Sequence, residues 1–197
     1  MVEMDDVVVN FLSFPKRLFF DSCTLQYIQK YGDFIWDNVV PPPGDKIYTS
    51  SGGAYKELQA LHDIWFTNQR NNLDFVISAA SLEEVDAKGD YRYLQWAFDM
   101  LDYWQARLDE YAEYDVQSMT GRGEDWAAVL NNPSIGFLSS KDKKLIRDAV
   151  LLECDAFLTM ETKLPKIANT LREHVPLSIL RPSEYWKLLK PWAPLFI

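Results

Sequence analysis

The stretch Arg17-Leu18-Phe19-Phe20-Asp21-Ser22-Cys23-Thr24-Leu25 decides the fold. Its apolar run is too short for a helix and stops at an acid, so it reads as a buried strand. Cys23 to Tyr31 reads as the helix that follows. The same unit recurs downstream. Phe75-Val76-Ile77 is a second buried strand, with a helix from about Leu82. Ala156-Phe157-Leu158-Thr159 is a third, preceded by a helix from Asp142 to Glu153 with Leu145, Ala149 and Leu152 inward. Leu177-Ser178-Ile179-Leu180 is a fourth, and Pro182 opens a final turn and helix. Ala54 to Gln69 has Leu58, Leu61, Ile64 and Trp65 at helical spacing, whereas Val39 to Asp45 holds Pro41, Pro42, Pro43 and Gly44 and is a loop. Short apolar strands alternating with helices predict a three-layer α/β/α sandwich around a mainly parallel sheet.

The bulk composition suits that architecture. The chain has 197 residues, 48% of them hydrophobic, which is enough for one α/β domain with a sizeable core. Its start, Met1 to Asn10, has no basic segment leading into an apolar run, and no apolar stretch nears the roughly 20 residues of a membrane span. The expectation is a cytoplasmic protein with no membrane partner. Cys23 and Cys154 fit no metal spacing and read as buried thiols; His62 and His174 are isolated.

A net charge of −9 argues against broad nucleic-acid binding. The charge is uneven, however. Residues 86–117 carry eight acids against three bases, a balance of −5, while 141–147 carry Lys141, Lys143, Lys144 and Arg147 against Asp142 alone. A local basic patch can coexist with an acidic average.

Residues 86–134 read as a helical insertion, with one long helix over 91–115. Leu94, Phe98, Leu101 and Leu108 form one stripe on it; Trp96, Tyr103 and Arg107 lie on another side. A helix apolar on more than one side needs a second surface. Trp126, Val129 and Leu130 would cover the first stripe, and a second copy of the chain, in a homodimer, the other.

In parallel sheets, ligands bind beyond the carboxyl ends of the strands. Four acids stand there: Asp21 after the first strand, Glu84 in the first turn after the second, Asp142 at the start of the helix before the third, and Glu161 just after it. Each has a plainer role open to it. Asp21 can cap the next helix, Ser81-x-x-Glu84 and Ser139-x-x-Asp142 match capping boxes, and Glu161 can be a solvated loop acid. Four carboxylates at one edge repel one another, and a hard divalent cation such as Mg²⁺ or Mn²⁺ removes that cost.

These residues also carry a family resemblance. Leu18-Phe-Phe-Asp-Ser-Cys-Thr-Leu25 resembles the first strand of PIN domains, which ends in an aspartate followed by a small hydroxyl residue. Ile77-Ser-Ala-Ala-Ser-Leu-Glu-Glu-Val85 resembles their second motif, with Glu84 at the acid. Asp142 through Glu161 resembles their closing helix–strand motif, and Leu177-Ser-Ile-Leu-Arg-Pro182 their last strand. The chain departs from the pattern at Cys23, where many members have asparagine, at Glu161 in place of aspartate, and in the size of the 86–134 insertion.

The resemblance implies a PIN-like fold and metal-dependent hydrolysis of RNA phosphodiesters. Asp21, Glu84, Asp142 and Glu161 would hold Mg²⁺ or Mn²⁺, and Thr159 would support them by hydrogen bonding. Lys141, Lys143, Lys144 and Arg147 would meet the nucleic-acid backbone. A nuclease for branched or single-stranded DNA fits the same residues. So does a catalytically weak module that holds a protein partner, such as an antitoxin-like inhibitor.

Overall fold

A computed structural model describes residues 14–50, 53–68, 73–78, 80–81, 84, 133, 136, 138–166, 168–172 and 177–193. Elements are numbered within these residues. Strand β1 (Arg17–Phe20) leads into helices α1 (Ser22–Lys30), α2 (Gly32–Asp37), α3 (Lys46–Thr49) and α4 (Ala54–Asn68). Strand β2 (Asp74–Val76) follows. After it come α5 (Ser140–Leu151), β3 (Ala156–Leu158), α6 (Lys163–Lys166), α7 (Ala168–Arg172), β4 (Ser178–Leu180) and α8 (Pro182–Leu189). The expected insertion over 86–134, with its helix 91–115 and proposed dimer stripe, lies outside the described residues except for Pro133.

The four strands form one all-parallel sheet in the order β2-β1-β3-β4. The inner strand β1 buries Leu18, Phe19 and Phe20 almost completely, because helices cover both faces. Alternate residues feed opposite cores. Leu18, Phe20, Phe75 and Leu158 pack with Leu25 and Ile28 of α1, Leu58, Leu61 and Ile64 of α4, and Tyr185 and Leu189 of α8. Phe19, Val76, Phe157 and Ile179 pack on the other side with Leu145, Ile146 and Ala149 of α5, Leu164 of α6 and Leu171 of α7. One aromatic pair marks each face: Phe20 stacks on Phe75 at 5.1 Å, and Phe19 on Phe157 at 5.2 Å.

Polar groups fix the register at the amino ends of the strands. Arg17 and Asp74 are register partners and form an ion pair at 2.8 Å. Asp155, just before β3, accepts from the backbone N–H groups of Lys16 and Arg17 at 2.9 Å each. These contacts leave the carboxyl ends of the strands to other uses.

Strand and helix boundaries fall within a residue or two of the sequence reading: β2 runs Asp74–Val76 instead of 75–77, α1 begins at Ser22 and α5 at Ser140. The short helices α2, α3, α6 and α7 have no counterpart in that reading. Each has four to six residues, fewer than two helical turns, so no apolar period can develop. No helix among the described residues is long and apolar enough to cross a membrane.

Candidate functional site

The register places one residue from each strand in a single row across the carboxyl edge. Phe20, Leu158 and Leu180 are partners across β1, β3 and β4, so Asp21, Thr159 and Arg181 stand one step beyond them. Phe19 pairs with Val76, and continuing that step brings Ser78 level with Asp21. The ladder itself extends into this row. Asp21 N–H donates to the Leu158 carbonyl at 3.5 Å, and Thr159 N–H to the Leu180 carbonyl at 3.1 Å.

Asp21 is the centre of the row. It is the N-cap of α1 and accepts from Thr24 N–H at 2.7 Å, so the expected capping role is real. Its other oxygen accepts from the Thr159 hydroxyl at 2.6 Å. Thr159 in turn accepts from Glu161 N–H at 3.1 Å, which ties the loop after β3 to Asp21 through one hydroxyl. The Thr24 hydroxyl donates to the Leu158 carbonyl at 3.1 Å and accepts from Met160 N–H at 3.2 Å, locking α1 against β3.

Asp21 is only 5% exposed. Burial pushes its carboxyl up from 3.8 to about 6; the Thr159 hydroxyl and the Thr24 donors restrain that rise, and the nearby charge of Glu161 adds to it. A buried carboxylate that resists ionisation and has a second acid beside it gains by a bound cation, which reverses both penalties.

Glu84 reaches the same edge from the helical turn after β2. Its carboxylate accepts from the hydroxyl of Ser22, the residue after Asp21. The Ser81 hydroxyl, expected to share a capping box with Glu84, instead makes a long bond, 3.4 Å, to the Phe20 carbonyl at the end of β1. Asp21, Thr159 and Glu161 are thus one linked set, with Ser22 and Glu84 a second set attached at the neighbouring residue.

Asp142 stands apart from these links. It is the third residue of α5 and completes a capping box: its N–H donates to the Ser139 hydroxyl oxygen at 3.1 Å, and its carboxylate accepts from Ser139 N–H at 3.2 Å. The Ser139 hydroxyl also donates to it at 2.8 Å. Among the described residues, no three acidic, histidine or cysteine side chains stand close enough together to form a metal-binding group. The oxygen donors of Asp21, Glu161 and Glu84 do match the chemistry of Mg²⁺, which needs few protein ligands because it keeps several waters. One further group suits a ligand: the Ser78 hydroxyl is buried and has no hydrogen-bond partner among the described residues.

The basic residues line the start of α5. Lys141 is exposed and Lys143 and Lys144 are half-buried, while Arg147 pairs with Asp148 at 3.0 Å. Sequence reasoning missed Arg181, Glu57, Thr24 and Ser78. Thr24, Ser78 and Arg181 lie inside the motifs already singled out, so a residue-by-residue reading of those motifs could have found them. Glu57 and Arg181 meet only through the packing of α4 on α8, which no local pattern announces. No family model, curated protein or solved structure matches this chain.

Proposed function

We propose that this chain is a metal-dependent nuclease that hydrolyses RNA phosphodiester bonds. One observation carries the reading: a buried Asp21 at the carboxyl edge of the inner strand β1, gripped by Thr159 and destabilised as an anion by burial and by Glu161. The motif order shared with PIN domains supports it. Asp21, with Glu161 and Glu84, would hold Mg²⁺ or Mn²⁺, largely through water, and Asp142 would join through water from the start of α5. The ion would neutralise phosphate charge and activate a water. The chain's own residues do the positioning. Thr159 fixes the direction of the Asp21 carboxylate, and Ser22 fixes Glu84. Lys141, Lys143, Lys144 and Arg147 would neutralise backbone phosphates.

A second reading is a protein-binding module with little activity. It draws on Asp142, whose carboxylate is already engaged by its cap. Incubation of labelled single-stranded RNA and DNA with the protein and Mn²⁺, with and without a chelator, separates the readings. Cleavage of RNA that the chelator abolishes is expected. Preferential cleavage of DNA moves the substrate class, and cleavage of neither supports the binding module.

A further inference from the structure

Arg181 ends the same row that Asp21 occupies, two strands away, at about 10 Å by ordinary strand spacing. Its backbone is pinned, since its N–H donates to Glu184 at 2.8 Å in the capping arrangement of α8. Its guanidinium pairs with Glu57 of α4 at 3.3 Å. The two partners differ in kind. Glu57 is 1% exposed and already accepts from Ser183 N–H and from the Ser183 hydroxyl, both at 2.8 Å. The Arg181 side chain keeps 18% of its surface, against 2% for Glu57. Its Nε is buried and has no hydrogen-bond partner among the described residues. The arginine charge also reaches Tyr27 on α1, whose hydroxyl it holds lower against a rise driven by burial. Glu57 therefore works as a buried anchor that holds a planar, multi-donor cation at the carboxyl end of β4, with part of the guanidinium-bearing side chain open to solvent.

We infer that Arg181 is a phosphate-binding residue of this edge, and that it takes a backbone phosphate flanking the one placed at Asp21. A guanidinium presents several donors in one plane and suits phosphate oxygens better than a lysine would. With its backbone about 10 Å from Asp21 and its guanidinium held toward Glu57 of α4, Arg181 suits a phosphate flanking the one at Asp21, so its contribution falls on binding and on KM. The inference rests on the nuclease reading above.

The test compares Arg181→Gln, Glu57→Gln and the double variant, with single-stranded RNA as the probe. Binding is read by anisotropy in chelator across a salt series, and cleavage is read in Mn²⁺. The double variant removes both charges and leaves an acceptor for Ser183, so it keeps the fold where Arg181→Gln alone strands a buried carboxylate. The expected result for the double variant is a salt slope flatter by about one unit and binding roughly tenfold weaker at 0.1 M salt, with kcat within twofold. Glu57→Gln releases the guanidinium from its carboxylate and is expected to bind more tightly. If Arg181 is only a structural clamp, Glu57→Gln and Arg181→Gln weaken binding alike, or the folded double variant keeps the full slope. Either result, in a wild type that cleaves RNA, overturns the Arg181 assignment alone. A wild type that neither binds nor cleaves RNA overturns it together with the nuclease reading.

Discussion

Replacing Asp21 by asparagine separates the charge of the site from its shape, and the outcome can be worked out from the structure. The folded protein raises the Asp21 carboxyl from 3.8 to about 6. Keeping it ionised in the fold therefore costs about 3 kcal/mol at neutral pH, at 1.36 kcal/mol per pKa unit. The folded chain holds this proton more tightly than the unfolded chain does. Stability from this group is therefore full below about pH 4 and is lost as pH rises toward 6; above that the whole penalty is present. Asparagine carries no such penalty. It does give up an acceptor, because Thr24 N–H and the Thr159 hydroxyl bond to different carboxylate oxygens and one of these becomes an amide NH2; the lost hydrogen bond offsets about 1 kcal/mol of the gain. Without metal, the variant should be about 2 kcal/mol more stable than wild type at pH 7.5, and about 0.5 kcal/mol less stable at pH 4. Urea unfolding of both proteins in chelator, at both pH values, measures the difference directly. A gap that is equal at the two pH values refutes the assignment of the buried charge to Asp21.

Three other perturbations follow from the same contacts. Thr159→Val removes the donor that restrains Asp21 and the acceptor for Glu161 N–H; it should cost about 1–3 kcal/mol on thermal unfolding and push the pH dependence just described to higher pH. Glu57→Ala strands Arg181 and both Ser183 donors in a buried setting, so a loss of about 3–5 kcal/mol in urea unfolding is expected, and a loss below 1 kcal/mol contradicts the anchoring role. The Lys143→Ala, Lys144→Ala double variant should flatten the salt dependence of RNA binding by up to about two units; an unchanged slope places the RNA away from the start of α5.

Much of this arrangement is legible in the sequence for a simple reason. The buried part of a parallel strand is apolar, so the point where Leu18–Phe20 yields to Asp21 marks both the strand end and the buried acid beyond it. The capping boxes show where local chemistry is readable and where it misleads. Ser139-x-x-Asp142 forms the box its spacing suggests, and the carboxylate expected at the shared cluster is bonded to its own helix start. Ser81-x-x-Glu84 has the same signature, yet Glu84 bonds to Ser22, because the tertiary fold brings the end of β1 alongside. Convergence of side chains from four strands depends on inter-strand register, which a single sequence carries only weakly. The Glu57–Arg181 pair is the extreme case, since its members are remote in sequence and the motif that holds Arg181 says nothing of Glu57.

The proposed chemistry requires a divalent cation at Asp21, on the carboxyl edge of the sheet. Titration of the protein with Mn²⁺, followed by electron paramagnetic resonance of the free ion, tests it most directly. The expected result is a saturable Mn²⁺ site in the wild type that weakens as pH falls through about 6, where Asp21 takes up its proton, and that is absent in Asp21→Asn. A wild type that leaves Mn²⁺ free, or an asparagine variant that binds it as well as the wild type does, rules out a cation anchored by Asp21.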